Sequence, residues 1–377
     1  MTVDGHPLVA AATRVADEVL APAAEQVDGL PLLPRGHLDA LAQAGLMGLY
    51  GPGTDGGQAA PGPIARRCQQ LVAAACGATF FTWAQHHSPL RLVAGAPDGE
   101  ARRRWLRSLC TGEVRAGVAF AYLRRPGPPA VRASPAGDGG WVLEGAAPWV
   151  TGWGLVDVIF VVAGCDDGRK VLCLVPVEAR GLLPEPLELM VFQCTGTVRL
   201  GFAQVAVSAG QVVDVWPDER WQQVDRVAAA QPIAAPFGIT ERCVQGLRSA
   251  DRPGGSLARE AAAALAKELS RCHLRVDELD QPPPEAEPEL TGWLEALTTV
   301  RDWSIDLANR AAQAWVAAVG GRAMSRSHPA QRLVREAAFY LIQAQTGELR
   351  RAELARLARP GDPQGTTGGM PDTALPG

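Results

Sequence analysis

The chain has 377 residues, of which 47% are hydrophobic, so it can bury a large core. Its formal net charge is −4, and no basic cluster of the kind that nucleic-acid binding requires stands out. No apolar run reaches the roughly 20 residues that a membrane-spanning helix needs. We therefore expect a cytoplasmic, enzyme-sized protein that binds neither nucleic acid nor a membrane.

Helical periodicity dominates residues 1–112, which we predict to form an N-terminal helical domain. Leu8, Ala12 and Val15 recur at helical spacing, and Pro22 is expected to end this first helix. The other predicted helices cover His37–Leu46 and residues 63–76, 79–95 and 98–110.

Residues 113–215 change in character, because short apolar runs now alternate with Gly, Pro and Asp. This pattern indicates a small β-barrel or sandwich. The strands that we predict are Val114–Leu123, Trp141–Leu143, Val156–Ala163, Val171–Val177 and Thr197–Phe202.

Residues 216–359 are again predicted to be helical, and they form the C-terminal domain. An apolar stripe runs from Leu257 to Leu279, and it resumes at Leu290 after a proline-rich loop. The Gly/Pro/Thr-rich tail, residues 360–377, is expected to be disordered. The order of the three blocks gives an α+β fold class.

Cysteine and histidine provide no metal-binding pattern. The eight cysteines include no CxxC pair, and most of them lie in apolar segments, where a thiol behaves as a small hydrophobe. An adjacent pair, His86 and His87, cannot present both rings to one metal from a helix. One of them could act as an acid or base near neutral pH. The alternative is a local helix break at Ser88 and Pro89, with a histidine bonded to a carbonyl.

A specific resemblance begins at Gly145–Gly152, which reads GAAPWVTG. This segment resembles the "NGxKxWITN" strand of acyl-CoA dehydrogenases. In that family the tryptophan and the threonine lie against the flavin, and the threonine hydroxyl donates to the N5 region of the ring. The resemblance thus implies that Trp149 and Thr151 contact a flavin.

A longer match runs from Val319 to Ala337 and is similar to the family's "GGxGxxxxxPxxRxxRDA". The family's glycine pair, here Gly320 and Gly321, lets a neighbouring subunit's backbone approach FAD. A third match, Cys194–Val205, corresponds to a strand of the β domain. The resemblance covers roughly residues 5–357. It implies a helical domain, a β-barrel domain and a C-terminal four-helix bundle, in a homodimer or homotetramer.

The chain departs from the family at both positions that can hold the catalytic base. The family's "IYEGT" reads Ile342-Gln-Ala344-Gln-Thr346 here, so alanine replaces the glutamate that removes the α-proton. Other members place their base on the first long C-terminal helix. The corresponding stretch, Val227–Phe237, contains no carboxylate, and Gln231 is its only polar side chain. The catalytic residues therefore remain unknown.

Cofactor contacts are partly lost. The "TEPxAGSD" loop, which contacts flavin and acyl-CoA in the family, becomes a segment beginning at Leu123. The arginine of "RxTFG", which reaches the FAD pyrophosphate, is missing; the candidates to replace it are Arg124, Arg125, Arg248 and Arg252. Thr346 is retained, and it matches a threonine beside the FAD phosphate. FAD, FMN and the absence of a flavin all remain open.

Charged residues outside these motifs carry simpler expectations. Asp225 and Arg226 precede the first C-terminal helix and could bind substrate, but we predict a solvated pair. Arg332, Arg335 and Glu336 are predicted to form an ion-pair network at a dimer interface.

Three functions are compatible with the sequence. The first is a non-standard flavin-dependent oxidation or oxygenation of an acyl thioester or a secondary metabolite, since relatives that oxygenate with reduced flavin need no glutamate. The second is a redox-neutral enzyme or acyl-binding protein on the same scaffold. The third is a dehydrogenase with a relocated base. The substrate is expected to be a small molecule or an acyl chain on CoA or a carrier protein.

Overall fold

The computed structural model describes residues 2–137, 139–250 and 255–358, and within them the chain begins with seven α-helices. These helices are α1 (Pro7–Val15), α2 (Ala21–Asp28), α3 (Arg35–Gln43), α4 (Gly62–Ala75), α5 (Gly77–Gln85), α6 (His87–Ala94) and α7 (Glu100–Thr111). The predicted helical character of this block is confirmed. The predicted tail lies outside the described residues.

The expectation that Pro22 ends the first helix is wrong. A π-helical turn, Ala16–Leu20, joins α1 to α2, and Pro22 lies in the first turn of α2. The N–H of Ala21 donates to Ala16 O, five residues back. Proline has no N–H and its ring clashes with the carbonyl four residues earlier, so it normally breaks a helix. The wider π turn lets the chain continue as a helix to Asp28.

Eight strands follow the helices and form one mixed sheet. They are β1 (Ala116–Ala119), β2 (Val131–Pro135), β3 (Trp141–Val150), β4 (Val158–Gly164), β5 (Lys170–Pro176), β6 (Leu182–Pro186), β7 (Val198–Val207) and β8 (Val212–Trp216). Their order is β6-β7-β3-β2-β4-β5-β8, with β1 parallel to β4. The strand predicted over Val114–Leu123 is too long, because Ala121–Arg124 forms a 3-10 turn. The strands β2, β6 and β8 were not predicted.

One face of the sheet encloses a core of its own, and strands β4 and β5 are buried on both faces. Side chains such as Leu143 of β3, Ile159 of β4 and Phe202 of β7 share one cluster. The opposite face of β4 and β5, with Phe160 and Leu174, packs against α6 and α7. This arrangement explains why β4 is a continuous apolar run rather than an alternating one.

Six helices complete the described chain: α8 (Asp218–Ala230), α9 (Ala234–Arg248), α10 (Gly255–Leu279), α11 (Glu289–Val319), α12 (Pro329–Phe339) and α13 (Gly347–Leu357). Helices α9 to α12 pack on one another as a bundle, and α9 also packs on α4. The stripe of α10 is buried from Leu265 to Val276, whereas Leu257 is exposed. None of the described helices is long and apolar enough to cross a membrane.

The predicted interface network lies inside the chain instead. Arg332 and Glu336 of α12 are 2% exposed each and form an ion pair of 2.7 Å, and Glu25 of α2 lies 3.3 Å from Arg332. Arg335 pairs with Asp28 at 2.5 Å. These contacts connect the C-terminal bundle to the N-terminal helices, so their assignment to a dimer interface is wrong.

Candidate functional site

The position of the missing base lies in the turn between α12 and α13. Ala344 has φ 52°, a left-handed conformation that residues other than glycine seldom adopt. The preceding residue, Gln343, directs its carbonyl towards the interior of the bundle, where Arg301 of α11 donates to it at 2.6 Å.

Arg301 connects both positions at which the family places its carboxylate. Besides Gln343 O, its guanidinium donates to Ala229 O at 3.0 Å and to Gln231 O at 3.4 Å, at the end of α8. The side chain is almost fully buried. Burial, and next the nearby charge of Arg124, lower the pKa of Arg301 to about 10, so it remains a cation at neutral pH. A buried positive charge is thus bonded to the backbone of both stretches in which the resemblance places a base.

A second arginine approaches the same region from the β domain. Arg124, in the 3-10 turn after β1, donates to both oxygens of Asp225 in α8 at 2.9 and 2.7 Å. Asp225 therefore does not pair with Arg226, which lies 3.6 Å from Glu287, and that prediction is wrong. Leu123 lies in the same turn, half-buried between the two clusters of the β domain.

Trp149 and Thr151 differ sharply in accessibility. Trp149, at the end of β3, is 51% exposed, so its ring is free to form the wall of a ligand site. Thr151 is buried, and its hydroxyl lies 3.0 Å from that of Thr197, which lies 2.9 Å from that of Thr195. Thr195 donates its one hydrogen to Phe192 O. Thr197 must then donate to Thr195 and Thr151 to Thr197, which leaves the Thr151 hydroxyl no hydrogen for a flavin.

The retained glycine pair lies at the far end of α11. Gly320 has φ 67° and ψ −145°, which only glycine adopts readily, and a Cβ on Gly321 would meet nothing within 4 Å. The pair is roughly 28 Å from Arg301 along the helix axis, at about 1.5 Å per residue. Thr346, by contrast, lies near Arg301's partner Gln343 and caps α13, because its hydroxyl accepts from Leu349 N at 3.3 Å. The predicted cofactor residues thus form two separate groups within one chain.

A cavity of about 520 Å³ lies beside the glycine pair, between α9 and the end of α11. It is lined by Arg242, Gln245, Gly246, Ser249, Ala250, Trp315, Val319, Arg322 and His328. The charges in this cavity are positive: Arg242 and Arg322 line it, and neither forms an ion pair with a carboxylate of the described residues. Arg242 lies over the ring of Trp315, with 5.8 Å between guanidinium and ring centroid. His328 contributes no charge, because burial and then Arg322 lower its pKa.

The residues around this cavity fit the phosphate end of a flavin dinucleotide. Two guanidinium groups without a carboxylate partner can bind a pyrophosphate. A Cβ on Gly246 would overlap the ring of Trp315, so glycine at this position leaves room for the tryptophan. Of the four candidates from the sequence, Arg124 is already paired and Arg252 lies outside the described residues. Arg125 and Arg248 are exposed and do not line the cavity.

Three important residues were missed by reasoning from the sequence. Arg322 directly follows the glycine pair, and Arg242 lies six residues before the candidate Arg248. Their positions next to these residues could have identified both arginines from the sequence. Arg301 follows Leu297 and precedes Ile305 at four-residue spacing, in the apolar stripe of α11. A charged residue at a buried position of a stripe is itself a sign of function or of a specific partner.

The histidine pair has a structural role at its first member. His86 accepts from Ala116 N at 3.1 Å, so its other nitrogen donates to Leu109 O at 3.0 Å and ties α7 to β1. Burial lowers the pKa of His86 to about 4. The alternative of a carbonyl-bonded histidine is confirmed, although the break falls at His86 and not at Ser88. His87 is buried between Tyr50 and Trp83.

The described residues contain no group of three or more His, Cys, Asp or Glu side chains arranged to hold a metal ion. All eight cysteines are free thiols. Burial raises the pKa of several, including Cys173 to about 12, which makes these thiols poor nucleophiles.

Comparison with known proteins agrees with this architecture. Residues 4–113 match the family model described as acyl-CoA dehydrogenase, N-terminal domain. A search of curated proteins returned no match to this chain.

Solved structures with the same fold include enzymes of more than one kind. Butyryl-CoA dehydrogenase from Megasphaera elsdenii superposes with a TM-score of 0.78 and 18% identity, covering 93% of this chain and 97% of its own. Dibenzothiophene monooxygenase from Paenibacillus sp. A11-2 gives 0.78 and 18%, covering 94% and 97%. Glutaryl-CoA dehydrogenase from Mycobacterium smegmatis in complex with FADH2 gives 0.79 and 17%, covering 93% of each chain. The N-terminal part of the chain thus matches the acyl-CoA dehydrogenase model, and the whole chain shares the fold of these solved structures.

Proposed function

We propose that this protein is a flavin-dependent oxidoreductase whose reaction does not begin with removal of an α-proton by a carboxylate. The observation that carries this proposal is Arg301, a buried cation bonded at both positions where the superfamily places its base. A carboxylate base there would be neutralised by the guanidinium, which would lower its pKa and its basicity. Oxidation of a substrate that ionises without a base, or oxygenation, is compatible with this charge.

The cavity beside Gly320 and Gly321 supports FAD as the cofactor. Arg242 and Arg322 would bind its pyrophosphate, in place of the family arginine that the sequence lacks. When bound, a flavin supplies hydride acceptance or, once reduced, reactivity with oxygen. The exposed Trp149 would form one wall for its ring.

An assembly of two or more copies follows from the same geometry. The glycine-pair cavity and the Arg301 region lie roughly 28 Å apart along α11, by the rise of about 1.5 Å per residue. A flavin bound at the cavity of one copy would therefore place its ring in a neighbouring copy, as the resemblance implies. We infer a homodimer or homotetramer, acting in the cytoplasm on an acyl thioester or a related small molecule.

The visible absorption spectrum of the purified protein, with and without added FAD, tests the cofactor. We expect flavin absorption bands that remain with the protein after gel filtration. Arg322→Gln and Arg242→Gln should each weaken FAD binding about 10- to 100-fold, since a hydrogen bond between charged groups contributes about 1.5–3 kcal/mol. Affinities are measured by quenching of FAD fluorescence.

Arg248→Gln is the matched control, because Arg248 lies on the same helix as Arg242 but does not line the cavity. Its FAD affinity should equal that of the wild type. A colourless protein that binds neither FAD nor FMN would contradict the proposal. If flavin binds and butyryl-CoA reduces it in the wild-type protein, the protein is an acyl-CoA dehydrogenase with a base elsewhere, which contradicts the proposal.

A flavin-free function is the second candidate, and the threonine chain favours it. The hydroxyl of Thr151 is engaged by Thr197, and the Arg124–Asp225 ion pair fixes the segment that replaces the family's flavin-contacting loop. A redox-neutral enzyme or an acyl-binding protein would retain this arrangement unchanged. Failure to bind any flavin, together with binding of an acyl-CoA, would support it.

A further inference from the structure

His328 lines the cavity beside the glycine pair, and α12 fixes the position of its ring hydrogen. The residue directly precedes α12, where its Nδ1 accepts a hydrogen bond from Ala330 N at 3.2 Å. A neutral imidazole has one nitrogen that accepts and one that donates, so the hydrogen of this ring must be on Nε2. Nε2 has no hydrogen-bond partner among the described residues. The cap of α12 thus leaves an N–H donor available to the cavity.

The ring of His328 is neutral near pH 7. Burial, followed by the positive charge of Arg322, lowers its pKa, and the opposing effect of Glu25 in α2 is smaller. Trp315 of α11, whose ring centroid lies 5.6 Å from that of His328, brings no charge. A proton on Nδ1 would also remove the acceptor that caps α12. His328 therefore offers the cavity a neutral donor and not a cation.

The positive charges around this donor have no acidic counterpart in the cavity wall. Arg242 of α9 and Arg322 line the cavity together with His328, and none of the described lining residues is acidic. The first turn of α12 carries no acidic residue either, so the positive end of its helix dipole is not compensated there. Charges and donors at this place favour an anion with several oxygens.

We propose that His328 donates its Nε2–H to a phosphate oxygen of the pyrophosphate that Arg242 and Arg322 bind in this cavity. The inference rests on the proposed function for the identity of the bound group, and it adds a third, uncharged donor. Because Nδ1 is held by α12, the direction of the Nε2–H bond is fixed. His328 therefore orients one phosphate oxygen, whereas the two guanidinium groups supply the charge.

Binding of ADP-ribose to the purified full chain tests the proposal without a flavin, because this probe carries the same pyrophosphate diester as FAD. It has no phosphate monoester, whose second pKa of about 6 would complicate a pH series. His328→Ser removes the ring, and serine is a good N-cap, so α12 should keep its capping hydrogen bond. Isothermal titration calorimetry should show a loss of affinity of about 10-fold, the lower end for a hydrogen bond to a charged group.

His6→Ser is the matched control. His6 caps α1 in the same way, with Nδ1 accepting from Leu8 N at 3.2 Å, but it does not line the cavity. The affinity of this variant for ADP-ribose should equal that of the wild type. Equal losses in both variants, or no loss in His328→Ser, would overturn the inference.

The dependence on pH separates a neutral donor from a cationic one. A histidine that bound the pyrophosphate as a cation would lose its contribution as pH rises from about 6.5 to 8.5. We expect instead that the ratio of the wild-type and His328→Ser affinities stays constant over this range. A ratio that falls to one at the upper end would contradict the neutral donor.

A crystal structure of the ADP-ribose complex provides a test that needs no variant. Nε2 of His328 is expected within hydrogen-bond distance of a phosphate oxygen, and a pyrophosphate bound elsewhere would refute the inference. If the protein binds ADP-ribose at His328 but no flavin, the proposed cofactor is wrong and this inference stands. If FAD and ADP-ribose bind equally well to His328→Ser and to the wild type, the inference alone is wrong. A protein that binds neither would overturn both.

Discussion

Arg301 and Ala344 form one feature of the site, although they lie on different elements. The guanidinium of Arg301 donates hydrogen bonds to carbonyls at the end of α8 and in the turn before α13, so one side chain fixes both positions.

The absence of a Cβ at Gly246 lets Trp315 form the cavity wall, and Gly246→Ala tests this. The added Cβ would overlap the Trp315 ring, so we expect a net loss of about 1–3 kcal/mol in the free energy of unfolding, as in other overpacked sites. FAD affinity should fall as the ring shifts into the cavity. Urea denaturation and FAD fluorescence provide the two measurements.

Gly292 supplies the control for that experiment. It lies in α11, and a Cβ there would meet nothing within 4 Å. Gly292→Ala should therefore stabilise the protein by up to about 1 kcal/mol through helix propensity alone. If both variants change stability in the same direction, the Trp315 contact does not have the role given to it.

The motifs of the sequence predicted candidate site residues but not the contacts that those residues make. The WVT segment and the glycine pair are local patterns, so residue numbers such as Trp149 and Gly320 could be assigned directly. The hydrogen bond from Thr151 to Thr197 joins residues that are distant in sequence, and no local pattern encodes it. The same holds for Arg124 and Asp225, which come from different domains.

At the scale of elements, periodicity predicted the long helices well and the short strands poorly. Strands such as β4 contain enough β-branched and aromatic residues to be recognised, whereas β2 and β6 are short and contain proline or charged residues. Their pairing with β3 and β7 defines them as strands. The π turn before Pro22 has a similar explanation, since the proline rule applies to an α-helix and not to a wider turn.

The packing of α13 on α11 should depend on pH through Asp302. Burial, followed by repulsion from Glu353, raises the pKa of Asp302 to about 6 in the folded protein. The unfolded value is near 3.9, so the folded state binds more protons between these values and stability falls as pH rises from about 4 to 6. Asp302→Asn should equal the wild type near pH 4. Above pH 6 it should be more stable by on the order of 1–2 kcal/mol after solvent screening.

Thermal melts of both proteins across this pH range provide the measurement. Asp306→Asn is the contrasting variant, because Asp306 pairs with both Arg310 and Arg356 and its loss should not stabilise the protein at any pH. If the difference in stability between the wild type and Asp302→Asn does not change between pH 4 and 6, the pKa of Asp302 is not raised and the prediction is wrong.

At the scale of the whole molecule, the three sequence blocks do not correspond to three independent cores. One hydrophobic cluster includes residues of the N-terminal helices, such as Leu20 and Val72, and of the C-terminal helices, such as Phe237 and Leu333. The β domain has a cluster of its own. Composition alone predicted where the blocks begin, but it could not show that the first and third share an interior, because that depends on long-range packing.

The Arg332–Glu336 ion pair lies where these helical blocks meet, so its loss should destabilise both blocks. Glu336→Gln leaves Arg332 buried with only Glu25 at 3.3 Å, and breaking a buried pair in this way costs about 3–5 kcal/mol. Hydrogen exchange should increase together in peptides from α2, α5 and α12, since Gly77 of α5 packs against the Glu336 carboxylate. Peptides from β4 and β5 should change less, because their side chains belong to separate clusters.

Glu185→Gln, which removes an exposed pair with Arg199, should alter none of these peptides. Increased exchange confined to α12 would mean that the two helical blocks unfold independently, and that the shared core does not couple them.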